Sequence, residues 1–207
     1  MAFVVSSRAG AVAGFVGVAA FLVLYVIAAS AMAAGPGYDI TKNLLSDLGN
    51  PTSPAPWAFN SAVIIAGLLV IPFGLALGSV FGGWWGRAAQ VDLTLAGVAL
   101  IGVGIYPEGS PLHGPLARTF FLLMTIAFGL LVRPMFASKA FRPVGAGVTA
   151  TAFVFAIVLV ATDVAGVGFE RLAEHLGVYA ALVWQTSTAL HLWRASTEAA
   201  EPRAAPT

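Results

Sequence analysis

Six apolar runs divide this chain, at 10–34, 57–81, 89–106, 115–132, 144–162 and 172–193. A bilayer core about 30 Å thick is crossed by roughly 20 helical residues, and each run reaches or nearly reaches that length. Only 9% of the 207 residues are charged, against about 25% in soluble domains. Lipid offers no hydrogen bonds to exposed peptide groups, so the runs must be helices. The ten-residue alternation of a membrane barrel does not occur. The expected fold is therefore all-α, a polytopic transmembrane bundle of six helices. It forms a single domain over 1–194, followed by a disordered cytoplasmic tail at 195–207 that is rich in Ala, Pro and Glu.

The first run contains Arg8 and then Ala31-Met32-Ala33, as a cleavable leader can. Leader cores span about 7–15 residues, however, and this run is longer; it is read as a retained first helix. Gly35-Pro36-Gly37, Gly82-Gly83 and Pro107 are placed to end the first three runs, and Pro115 and Pro143 to open the fourth and fifth. Pro72 falls inside the second run, where a kink is expected. Gly10 with Gly14, Gly74 with Gly78, and Gly78 with Gly82 have the small-xxx-small spacing that lets helices approach within the bundle.

With the N-terminus inside, the inner side carries Arg8, Arg87, Arg133, Lys139, Arg142, Arg194 and Arg203, and the outer side only Lys42, Arg118 and Arg171. This bias places both termini in the cytoplasm and the protein in the plasma membrane. The basic residues form no patch, which argues against a nucleic-acid partner. Membrane lipids, and other membrane subunits, are the expected partners. Cysteine is absent, which excludes disulfides, thiolate catalysis and thiolate metal sites. No cofactor is implied.

Polar residues concentrate in the outer connections. In the first, Ile40, Thr41, Leu44, Leu45 and Leu48 fall on one arc of a helical wheel, while Lys42, Asn43, Ser46 and Asp47 fall on the other. Asp39 suits an N-cap and Gly49 a stop, so a short interfacial helix is expected over 40–48. Ser46, Asp47 and His113 are the candidate catalytic groups, and Asn60, Glu108, Arg118, Glu170 and Arg171 the candidate binding groups. Arg118 lies inside an apolar run, where a charge calls for a partner such as Glu108 or Asp163. Ser46, Asn60, His113 and Arg118 are expected to converge into one polar pocket at the outer face. Asp92, near the inner end of the third run, is expected to snorkel or to pair with Arg87. No metal site is called for; His113 and His175 are the nearest to candidates, and their spacing matches no zinc pattern.

Several segments follow one another in a telling order. They are Leu45-Ser46-Asp47-Leu48-Gly49, Trp57-Ala58-Phe59-Asn60, Gly104-Ile105-Tyr106-Pro107 with Leu112-His113-Gly114, and Phe169-Glu170-Arg171-Leu172. In that order the chain resembles the "domain of unknown function 998" family of prokaryotic membrane proteins, from about Gly10 to Arg194. The resemblance implies a polytopic protein of six or seven helices and brings no activity with it. A more distant likeness is to the alkaline ceramidase and adiponectin-receptor superfamily of seven-helix zinc hydrolases. These carry an H-x-x-x-H pair in the last helix, where this chain has Ser187 and His191.

The functional reading that follows is a noncatalytic membrane subunit or scaffold with an outer-face polar pocket. The alternative is a lipid-binding protein, or a lipid hydrolase or transferase acting at the outer leaflet. A small transporter is the weaker alternative, since no broken-helix pair or inverted repeat is visible. The orientation is testable with single cysteines placed at Ser53 and Ala137 in intact cells. An impermeant maleimide is expected to label the first and not the second; the opposite pattern would invert the topology.

Overall fold

The computed structural model describes residues 5–142, 144–165 and 170–198, and among these it is built of helices with no strand. They are α1 (Ser7–Ala34), α2 (Pro56–Phe81), α3 (Gly83–Ile105), α4 (His113–Ala137), α5 (Val144–Ala165) and α6 (Glu170–Glu198). The 35–55 connection adds a single 3-10 turn, Ser46–Gly49. Four of the helices, α1 to α4, are long and apolar enough to cross a bilayer. Their outward faces are apolar as well: Val91, Leu95, Val98 and Ile105 form an exposed stripe on α3 at helical spacing. Trp84 and Tyr106, both exposed, stand 22 residues apart along α3. At 1.5 Å per residue that is about 33 Å, close to the thickness of a hydrocarbon core. Aromatic rings at both boundaries are the usual anchors of a membrane helix.

Helix boundaries follow local chemistry. The Ser6 hydroxyl accepts the Ala9 N–H and caps α1. Gly82 and Gly83 both take positive φ, so the chain reverses within a single residue and α3 starts well before the expected position 89. α4 begins at His113, two residues before Pro115, and continues through Pro134 to Ala137 rather than stopping at 132. α2 remains helical through Pro72.

On the α1–α2–α3 side the helices pack backbone against backbone. Gly10 lies against Ala76, and Gly14 against Phe73 and Ala189. Gly74 faces Leu93, and Gly78 faces Gln90 and Gly86. At the Gly67–Gly97 crossing, a Cβ built on either glycine would come 2.7 Å from the other's carbonyl oxygen. The small-xxx-small pairs at Gly10, Gly14, Gly74 and Gly78 thus serve packing within the chain.

The α4–α5–α6 side is filled by large rings. Trp184 of α6 is fully enclosed, edge-on to Phe73 of α2 and Phe128 of α4. Its indole N–H donates to Thr149 of α5 at 2.9 Å. Gln185 donates to the Gly14 carbonyl of α1 at 3.2 Å. In a medium where packing and interhelical hydrogen bonds replace the hydrophobic effect, these contacts tie α6 to the bundle.

Asp92 departs from expectation. It neither snorkels nor pairs with Arg87; it is buried on α3, and its Oδ2 has no hydrogen-bond partner among the described residues.

The Gly97 crossing yields a discriminating pair of substitutions. Gly97→Ala should destabilise by about 1–3 kcal/mol, because backbone rather than a movable side chain opposes the methyl group. Gly147→Ala, with nothing within 4 Å, should be neutral or stabilise by up to about 1 kcal/mol through helix propensity. Thermal unfolding in one detergent checks both; equal effects would contradict the crossing.

Candidate functional site

The 35–55 connection is shaped by its own side chains. The Asp39 carboxylate accepts the Thr41 N–H at 2.9 Å and the Thr41 hydroxyl at 2.7 Å. These bonds, and Lys42 beside it, hold its pKa down to about 2. The Asp47 carboxylate accepts the Leu44 N–H at 2.9 Å and the Asn43 side-chain amide at 3.3 Å. Such local bonds compete with a helical ladder. The interfacial helix expected over 40–48 is accordingly not formed; residues 40–43 make a turn and only Ser46–Gly49 is helical, in the tighter 3-10 form. The consequence matters for the site. Leu45, Ser46 and Leu48 all turn inward, and Ser46 is 4% exposed instead of lying on a polar outer arc.

Four hydrogen bonds clamp this connection over the end of the bundle. The Glu174 carboxylate of α6 accepts the Leu45 N–H at 2.8 Å and a hydrogen bond from the Ser46 hydroxyl. Asn60, one turn into α2, donates to the Gly49 carbonyl at 3.0 Å. Tyr38 meets Nε2 of His175 at 2.7 Å, while Nδ1 of that ring lies 2.7 Å from the Arg171 carbonyl. A carbonyl only accepts, so the proton sits on Nδ1, Nε2 accepts, and the Tyr38 hydroxyl donates. Burial raises the pKa of the Tyr38 phenol further, which keeps that proton in place.

His113 is 5% exposed at the start of α4. Its Nδ1 lies 2.9 Å from the Tyr106 carbonyl and must donate to it. Its Nε2 lies 3.0 Å from a Glu108 carboxylate oxygen, and that contact holds one further proton between the two groups. The His113–Glu108 pair is thus satisfied within itself, and His113 does not act as a base toward Ser46 in this arrangement.

Beneath the clamped loop, a narrow cavity of about 80 Å³ runs into the bundle. Three helices line it in one register: Phe59, Val63, Ala66 and Val70 on α2; His113, Ala117, Phe120, Phe121 and Met124 on α4; Glu174, Val178, Ala181, Leu182 and Gln185 on α6. In each the positions step by i, i+4, i+7 and i+11, which is one helix face. Eleven residues at 1.5 Å each make the wall about 16 Å deep, half the thickness of a hydrocarbon core. The polar groups stand at the two ends, Ser46, His113 and Glu174 at the mouth and Gln185 at the floor; the wall between is apolar.

Of the four residues expected to converge, Ser46 and His113 share the mouth of this cavity. Asn60 lies beside it, engaged with Gly49. Arg118 is exposed on α4 and does not line the cavity. It follows Ala117 by one residue, so the helix turns it about 100° away from the lining face. Asp47 is committed to its own loop. Glu108 pairs with His113, and Arg171 is exposed, its carbonyl holding His175. The side chains of Asp163 and Glu170 lie outside what is described. His113 and His175 each have both ring nitrogens hydrogen-bonded. No group of three His, Asp or Glu side chains able to hold a metal is found among the described residues.

Glu174 is the residue at this site that the sequence analysis does not single out. The shared spacing of 113/117/120/124 and 174/178/181/185 was the available signal, because it puts a polar residue at the head of two matching apolar faces.

A family model described as "Protein of unknown function (DUF998)" matches residues 17–191. Neither the curated proteins nor the solved structures contain a match.

The clamp is open to a direct test through Ser46→Cys, a buried thiol at the mouth. Each hydrogen bond to a charged group contributes about 1.5–3 kcal/mol. Adding Glu174→Ala should therefore raise the rate of thiol labelling by about tenfold or more, and Asn60→Ala by less. Unchanged rates in both double variants would show that the loop is held by other contacts.

Proposed function

The chain belongs to the DUF998 family, and on that premise we propose that it is a multi-pass membrane protein that binds a lipid-like amphiphile in the cavity at its outer-leaflet end. Its fold is proposed to cross the membrane six times with both termini in the cytoplasm. α5 and α6, of 22 and 29 residues, are about 33 and 43 Å long and thus able to span. Several polar residues of α6 that lower its hydropathy are buried or half-buried, among them Glu174, His175, Gln185, Thr188 and His191. The Lys and Arg distribution supports the orientation.

The observation that carries the proposal is the one-leaflet-deep apolar cavity with its polar groups gathered at the mouth. Such a profile matches a molecule with one polar end and one chain. Empty space forfeits packing contacts, so an apolar void with its polar groups at the ends favours an occupant over a purely structural interior. The binding reading is therefore preferred to a purely structural subunit. It is also preferred to a hydrolase, because His113 is turned to Glu108 and Tyr106 rather than to Ser46.

Filling the cavity tests this reading. Ala117→Phe and Ala181→Phe each place a ring against the wall from a different helix. Lipid extracted from purified wild-type protein should contain one amphiphile in near-stoichiometric amount by mass spectrometry. Both variants should lose it by about tenfold, equivalent to roughly 1.4 kcal/mol of binding, with melting temperature kept or raised. Wild-type protein free of bound amphiphile, or filled variants that retain it fully, would reject the proposal.

A further inference from the structure

The chemistry of the mouth specifies the head group, given that the cavity binds an amphiphile as proposed above. Its polar atoms are the Ser46 hydroxyl, the Glu174 carboxyl and the ring of His113, and among the described lining residues there is no Lys or Arg. The lining ring that could carry positive charge, His113, is matched by the Glu108 carboxylate; His175 beside it is bonded to Tyr38 and the Arg171 carbonyl. Nothing in the lining is therefore left to neutralise an anion.

A phosphate, sulfate or carboxylate head would have to shed water beside the Glu174 carboxyl in a low-dielectric setting, where desolvation and like charge both act against it. A cationic head fares better but gains little. It too loses hydration, and one Glu174 oxygen is already committed to the Leu45 N–H, so the pairing roughly breaks even. A hydroxyl meets the site on its own terms. Its proton can go to the Ser46 oxygen, whose own proton is given to Glu174, and it brings no charge to desolvate.

The floor sets the polarity of binding. The Gln185 amide nitrogen is already bonded to Gly14, and Val70 and Met124 stand at the same depth. The deep end therefore suits the chain, and the mouth suits the head. We infer that the cavity takes a single-chain amphiphile with an uncharged hydroxyl head, and that it rejects anionic heads of equal chain length.

The test is competition on the purified full-length protein, with a radiolabelled long-chain alcohol as tracer. Unlabelled alcohol, fatty acid and alkylamine of the same chain length are the competitors, at a pH where the acid is ionised. The alcohol should compete at about tenfold lower concentration than the carboxylate. Val178→Lys, one turn below Glu174 on the lining face, should supply the missing cation and shift the preference toward the carboxylate; Ser46→Ala should weaken the alcohol alone. A carboxylate that matches or outcompetes the alcohol on wild-type protein overturns the head-group assignment, as does an amine that outcompetes it, and both leave the cavity reading standing. A tracer that does not bind wild-type protein, or that binds Ala181→Phe equally well, overturns the cavity reading and this inference with it.

Discussion

The bond from the Leu45 N–H to the Glu174 carboxylate joins the 35–55 connection to the helix that reaches into the centre of the bundle. A peptide group turned toward a membrane interior must find a partner, and this one finds it on α6. With the bond made, Leu45 and Leu48 enter the bundle end and Ser46 faces the cavity. The Asn60–Gly49 and Tyr38–His175 bonds fix the two flanks of the same connection. The mouth of the cavity is therefore built by a loop, while its depth is built by helices.

The cavity lies where two kinds of packing meet. Glycine faces let α1, α2 and α3 close on one another backbone to backbone, as at the Gly67–Gly97 and Gly78–Gly86 contacts. Across from them, Phe120, Phe128 and Trp184 enter the bundle. Rings cannot fill space as evenly as backbones in contact, and the remaining volume collects between α2, α4 and α6 above the Trp184 layer. Gln185 and Trp184 lock that layer to α1 and α5, so the floor is rigid.

Much of this was written in the sequence. The apolar runs located all six helices, because the length a bilayer demands is hard to mimic by chance, and the ordered motifs pointed to the family that residues 17–191 match. The 40–48 segment shows where such reading fails. Its residues divide cleanly on a helical wheel, yet Asp39 and Asp47 bond the nearest backbone amides and stop a helix from forming. Helical periodicity says which residues share a face, not whether short-range hydrogen bonds allow the helix. Arg118 fails differently. Its depth was legible, but the direction of a side chain depends on the phase of the helix, and one residue separates it from the lining face at Ala117. Glu174 was missed because the start of α6 could not be told from the end of the preceding loop.

The account stands on the cavity being occupied by a chain rather than closed by collapse or filled with water. A density map of the protein in lipid nanodiscs, at a resolution that separates side chains, decides this most directly. The account requires continuous, elongated density from Ser46 and Glu174 down to Gln185, with its polar end at the mouth. Walls drawn together around Val178 and Phe121, or a file of separate water peaks along that path, would contradict it.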